Sequence, residues 1–178
     1  MRRQHRPLRP RPRPGDLPVT PEQDDDGELD VRPLQPDDVD FLRGLARDPR
    51  VVRYVGDGRP WSEPQLQERV REALPCSAVR WFVPRDRAGN RVGLLSLRQR
   101  APGRVEVGYW VAPDHWGRGH AGRLLRRGVE VCRGEGVTTV VARVLPGNAA
   151  SHRVLLRGGF VEAEHQDDPE LVLYEHQL

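Results

Sequence analysis

From Glu28 onward the apolar positions fall into runs of period two alternating with runs of period three to four, the marks of strands and amphipathic helices. Leu29, Val31 and the Pro33-Leu34 pair predict a first strand. Pro36-Asp37-Asp38 opens a helix carrying Val39, Leu42 and Leu45, with acidic residues where the helix dipole favours them, and Asp48-Pro49 ends it. A loop with Tyr54, Gly56, Gly58 and Trp61 leads to Ser62, a good N-cap, and to a helix reaching about Leu74 with Leu66, Val70 and Ala73 on one face. Residues 79–83 and 91–97 flank a Gly89-Asn90 turn as a hairpin, and 104–111 follows the Pro102-Gly103 turn as the next strand. A helix over 119–133 carries Leu124, Leu125, Gly128 and Cys132 at helical spacing, and Gly134 and Gly136 punctuate its end. Residues 138–145 are almost wholly apolar or β-branched, as in a buried central strand. A short helix over 148–157 stops at Gly158-Gly159, and two strands close the chain, the first starting at Phe160 and the second over 171–176. The order βααβββαβαββ predicts one α/β domain over residues 28–178 with a mixed sheet.

Residues 1–27 break this pattern. Six arginines alternate with prolines up to Arg13, and an acidic cluster, Glu22 and Asp24 to Asp26, follows. Such a stretch buries too little apolar surface to offset the entropy of ordering, which predicts a disordered tail. It reads as a solvated tail, or as the product of a start codon placed too early; a basic arm for RNA is the functional alternative. All 29 basic residues are arginine, and isoleucine is also absent. This usage follows GC-rich codons, so arginine abundance carries little information about nucleic acid. The net charge is only +3, with acidic residues interspersed, which describes a mixed-sign surface and not a phosphate-binding face. No apolar run approaches the roughly 20 residues of a membrane span, and no apolar segment follows the basic N-terminus as in a secretory signal. A soluble cytoplasmic protein, monomeric or homodimeric, is expected. Cys76 and Cys132 are far apart and lack metal-ligand spacing, so two free thiols and no metal are expected.

The strongest local signal is the run from Tyr109 to Gly122, where a strand enters a glycine-bearing turn and a helix begins. Backbone N–H groups at a helix N-terminus lack intrahelical partners and carry partial positive charge, which suits a pyrophosphate. Gly117 and Gly119 let the backbone approach an anion, and Ala121 and Gly122 keep the first helical turn thin. The Gly-Lys-Ser/Thr ending of a P-loop is missing, as is the three-glycine dinucleotide spacing, and the preceding strand is the fourth and not the first. ATPase and dinucleotide chemistry are therefore disfavoured.

The segment Glu106-Val107-Gly108-Tyr109-Trp110-Val111, followed by Trp116-Gly117-Arg118-Gly119-His120-Ala121, resembles the acetyl-CoA signature of the GNAT superfamily of N-acetyltransferases, (Gln/Arg)-x-x-Gly-x-(Gly/Ala). It is most similar to the branch that includes the RimJ and RimL ribosomal-protein acetyltransferases, in which Trp often takes the first motif position, as Trp116 does here. Asn148-Ala149-Ala150-Ser151 with Gly159-Phe160 resembles that branch's Asn-x-x-Ser…Gly-Phe segment, and residues 29–34 and 48–54 resemble its opening strand and first helix end. The resemblance covers residues 28–178. It implies a twisted, mostly antiparallel mixed sheet flanked by helices, with the fourth and fifth strands splayed around the pantetheine arm of acetyl-CoA, the co-substrate. The arm would pair with the backbone of Tyr109, Trp110 and Val111, and the pyrophosphate would take N–H groups from Trp116 to Gly122. An amide near Val111 would polarise the thioester carbonyl.

The resemblance also places Asn148 and Ser151 near the cofactor sulfur, with Ser151 as proton donor to the leaving thiolate; helix capping by Asn148 is the alternative. Glu106 is the candidate base for the attacking amine, directly or through water, and a salt-bridged strand carboxylate otherwise. It projects from the sheet face opposite to Val105 and Val107. His115 and His120 are read as turn histidines without a catalytic role, and Cys132 as a core residue, which favours direct amine attack over an acyl-enzyme. Tyr54 and Trp61 fall where family members build the acceptor site, or are core or rim aromatics. Acceptors in view are a protein N-terminal α-amine, an amino acid, a polyamine or an aminoglycoside-like drug. The acidic run 162–170 would attract a cationic acceptor, or is a charged loop. A non-catalytic acetyl-CoA-binding sensor or scaffold of the same fold is the alternative function.

Overall fold

The computed structural model describes residues 28–73, 78–164 and 170–178. The expected tail over 1–27, Leu74 at the end of the second predicted helix, Cys76 and Asp167-Asp168 lie outside the described residues. The elements run β1 (Asp30–Pro33), a 3-10 turn (Pro36–Asp38), α1 (Val39–Arg47), a single helical turn α2 (Pro49–Val52), α3 (Glu63–Glu72), β2 (Val79–Arg85), β3 (Gly93–Ala101), β4 (Arg104–Val111), a second 3-10 turn (Pro113–His115), α4 (His120–Gly134), β5 (Thr139–Val144), α5 (Ala149–Arg157), β6 (Val161–Ala163) and β7 (Val172–Gln177). One seven-stranded sheet holds them in the order β1-β2-β3-β4-β5-β7-β6, antiparallel except for β4 and β5.

Two cores form because strand side chains alternate between faces. Leu95, Leu97, Val105 and Val107 from β3 and β4 pack with Leu124, Leu125, Val129 and Cys132 of α4, and Leu155 of α5 joins them. Fully burying a leucine such as Leu124 contributes about 1.5–3 kcal/mol, so this seam fixes α4 on the sheet. Helix and sheet approach closely at Gly128, where a Cβ would sit 3.1 Å from Val107 and 3.2 Å from Leu95. On the other face, Leu94 and Trp81 pack against Leu42, Leu45 and Leu66 of α1 and α3. Ser62 caps α3 in a reciprocal box with Gln65.

The fold adds three local details. Asp48-Pro49 ends α1 at Arg47 as expected, and the Asp48 carboxylate then caps a further turn, α2, by accepting from the Arg50 amide at 2.9 Å. Pro84 does not end β2; its carbonyl accepts from the Val92 amide at 2.9 Å, and the ladder needs nothing from its missing N–H there. Asp38 is a first-turn acid as expected, and it is buried. It is 2% exposed and receives Arg85 at 2.8 Å and Arg91 at 2.6 Å, the pairing a buried charge requires. No described helix is long and apolar enough to cross a membrane.

Candidate active site

Strands β4 and β5 pair in parallel only at Arg104↔Thr139, Val105↔Val140 and Glu106↔Val141. Beyond that point β5 stays with β7 as far as Val144↔Val172, while β4 stays with β3 as far as Gly93↔Val111. The two strands therefore part, and a cleft of about 1680 Å³ opens between them, floored by α4 and α5. Strand backbone groups that do not bond the neighbour point the other way. The Val111 carbonyl is one of these, since the Trp116 indole N–H donates to it at 2.7 Å and pins the turn to the strand end.

The turn and helix start form the second part of the site. Gly117 and Gly119 adopt φ of +74° and +72°, left-handed conformations that suit glycine. Gly119 is the N-cap of α4, and no side chain caps this helix. The first N–H groups of a 15-residue helix are thus left for a ligand. No atom lies within 4 Å of a Cβ built on Gly117, Gly119 or Gly122, so the space above them is open. His120 at N1 is 8% exposed and lies edge-on to His115, with ring centroids 5.6 Å apart. Burial, then Arg123, His115 and Arg118, hold the His120 imidazole below the usual histidine range, with Asp86 opposing. Trp116, Gly117, Gly119, His120, Ala121 and Gly122 all line the cleft, whereas Arg118 is exposed and does not.

Across the splay, Asn148 caps α5 by accepting from the Ser151 amide at 3.2 Å. The capping alternative therefore holds for Asn148, and both residues also line the cleft. Tyr109, with Val107 and Val111, lies on the α4 side of β4, and its hydroxyl is buried near Ser151. Trp110 points the other way and meets Trp61 at 5.0 Å. That contact resolves two aromatics read as acceptor-site candidates: Trp61 belongs to the core with Trp81 and Trp110, whereas Tyr54 lines the cleft beneath the Arg53 guanidinium.

Glu106 sits where the splay begins, on the face opposite to Val105 and Val107. Its carboxylate accepts from Arg100 and, at 3.1 Å, from Arg143 Nε. The salt-bridged alternative thus describes this carboxylate: Arg100 is six residues away across the β3–β4 hairpin, whereas Arg143 is 37 residues away and only the sheet brings it in. Cys132 is fully buried in the core, and burial pushes its thiol up to about 11, so it offers no nucleophile.

An open parallel strand pair, a left-handed glycine turn and an uncapped helix start make a cradle suited to the pantetheine and diphosphate of coenzyme A. They are the arrangement of an acyltransferase site. The chain belongs to the GNAT acetyltransferases: the family described as acetyltransferase (GNAT) domain matches residues 28–161. The enzyme is accordingly an N-acetyltransferase. It is 31% identical over 139 residues to the uncharacterized N-acetyltransferase YoaA of Bacillus subtilis, covering 74% of this chain and 78% of that protein. It is 26% identical over 112 residues to the spermidine N(1)-acetyltransferase of Vibrio cholerae, covering 58% of this chain and 61% of that one. Its fold is similar to that of the Vibrio cholerae spermidine N-acetyltransferase in complex with CoA and spermine, at a TM-score of 0.72 and 22% identity, over 83% of this chain and 93% of that one. A domain from Methanocaldococcus jannaschii matches at a TM-score of 0.73 and 16% identity, over 85% and 99%.

Proposed function

We propose that this enzyme transfers the acetyl group of acetyl-CoA to a primary amine by direct attack, with a protein N-terminal α-amine as the favoured acceptor class. The splay of β4 from β5 above the uncapped N-terminus of α4 carries the reading. Acetyl-CoA supplies an activated thioester. The amides of residues 119–122 bind its diphosphate, and the β4 backbone from Tyr109 to Val111 aligns its pantetheine arm, with the Val111 amide directed at the thioester carbonyl. Asn148 and Ser151 face the sulfur end, where the Ser151 hydroxyl donates to the leaving thiolate. Glu106 orients a water that removes the amine proton, since both carboxylate oxygens already hold guanidinium groups.

Two observations support a protein α-amine over a polyamine. Trp116 and the Asn148-x-x-Ser151 segment favour the RimJ/RimL-like branch. The described residues lining the cleft include eight arginines, among them Arg50 and Arg53 of the α2 region, but only two carboxylates, Glu106 and Glu170. That surplus repels an acceptor carrying further positive charges.

The test is an amine panel with acetyl-CoA, scored by thiol release: peptides with free α-amines, amino acids, spermidine and an aminoglycoside. Peptides are expected to react, and spermidine to react at least about tenfold more slowly in kcat/KM. Turnover of spermidine alone would remove the α-amine reading. Coenzyme A binding without turnover of any amine would favour a sensor that kept the cradle.

A further inference from the structure

The helical turn α2 and the residues after it cross the mouth of the splay. At one end Arg50 lies within the field of Asp114, in the turn that follows β4. At the other, Tyr54 packs on the turn that follows β5, where a Cβ built on Gly147 would sit 3.7 Å from its ring. Arg50, Arg53 and Tyr54 line the cleft, so this segment forms a wall joining the ends of the two parted strands. Most charges on and beside that wall are paired. Asp48 holds Arg50 through both carboxylate oxygens, and Glu106 is held by Arg100 and Arg143. Arg53 differs. Its guanidinium lies 5.3 Å from the centroid of the Tyr54 ring, and among the described residues no carboxylate forms an ion pair with it. A guanidinium stacked on an aromatic ring keeps its planar N–H fork available at the edge. That fork matches a carboxylate, and a cation left uncompensated in a substrate cleft is set for a charge that arrives with the substrate.

We propose that the acceptor carries a carboxylate close to its reactive amine and that Arg53 binds it: the acceptor is a polypeptide whose first or second residue is Asp or Glu. The inference rests on the proposed transfer to an α-amine and narrows its substrate class. Glu106 is a poor anchor for a cationic acceptor, because two guanidinium groups already occupy its carboxylate. The wall therefore offers attraction to an anion and none to a second cation. Each residue between anchor and amine adds up to about 3.3–3.6 Å, so an anchor on a wall that meets both strand ends suits a carboxylate on one of the first two residues. A free amino acid presents the same chemistry through its α-carboxylate, and the experiment below separates the two sources. The diphosphate of coenzyme A has its own donors at the uncapped start of α4, which leaves Arg53 for the acceptor.

Short peptides that differ only at residue 1 or 2, with Asp or Glu against Asn or Gln, are compared with free aspartate and glutamate as acceptors for the full-length enzyme. At one of the two positions kcat/KM is expected to be at least about tenfold higher for the acid than for its amide, with the gap shrinking as salt is raised. Arg53→Gln should bring that ratio below about twofold, and Arg53→Glu should turn the preference towards a Lys-bearing peptide. Equal rates for acid and amide in wild type, or a ratio that survives in Arg53→Gln, would overturn the proposal; the first comparison needs no variant to fold. Free amino acids outpacing every peptide would overturn the polypeptide assignment. Coenzyme A affinity weakened more than about threefold in Arg53→Gln would give the guanidinium to the cofactor's phosphates instead. Calorimetry of the same peptides with coenzyme A-saturated enzyme reads affinity without turnover. Wild type that binds the acidic peptide at least about tenfold tighter through Arg53, yet acetylates nothing, would defeat the transferase reading and leave the anchor standing. Turnover of acid and amide alike would do the reverse.

Discussion

Gly122→Ala sets the stability of α4 against the function of its N-terminus. Gly122 is the third residue of the helix, and nothing lies within 4 Å of the Cβ that alanine would add. Replacing a helical glycine by alanine without a clash stabilises by about 0.5–1 kcal/mol, chiefly by restricting the unfolded chain. For a domain of this size each kcal/mol moves the melting temperature by about 2–4 °C, so the free protein should melt about 1–4 °C higher. The same methyl group stands over the amides proposed to hold the diphosphate. If it displaces one charge-assisted hydrogen bond, worth about 1.5–3 kcal/mol, coenzyme A binding weakens about 10- to 150-fold. Scanning calorimetry of the free protein and titration calorimetry with coenzyme A read the two effects separately. A more stable variant that binds coenzyme A within twofold of wild type would refute the placement of the diphosphate. A less stable variant would show that the space above residue 122 is not open.

Two more outcomes follow from the geometry. The His120 imidazole titrates near 6.5 in the unfolded chain and lower in the fold, so the unfolded state holds more protons between those values and acidification favours it. The melting temperature should therefore fall as the pH drops below about 6.5, and His120→Asn should flatten that slope; a wild-type slope that persists in the variant would assign it elsewhere. Asn148→Ala removes the acceptor for the Ser151 amide and should cost about 0.5–2 kcal/mol, read as a lower melting temperature in calorimetry. Unchanged stability would mean that water takes over the cap.

Most element boundaries were legible because they depend on near neighbours. The apolar face of α4, the Ser62 cap and the glycines flanking Arg118 all act within one or two turns of chain. What near neighbours leave out, distant partners supply. Pro84 continues β2 with its carbonyl accepting from Val92, and Asp38, a first-turn acid, is also where Arg85 and Arg91 close. The outer end of β3 has no apolar alternation to betray it, because Arg98 to Ala101 face charge and solvent.

From the sequence alone came the order of elements, the family and the glycine turn before α4, since periodicity, caps and glycine conformation are short-range properties. Only the tertiary structure set which side chains face one another across the open sheet. It assigned Tyr54 to the cleft and Trp61 to the core, bound Glu106 to Arg100 and Arg143, and brought the Tyr109 hydroxyl opposite Ser151. Those pairings depend on strand register and on where β4 and β5 part, and both are fixed by packing between segments far apart in the chain.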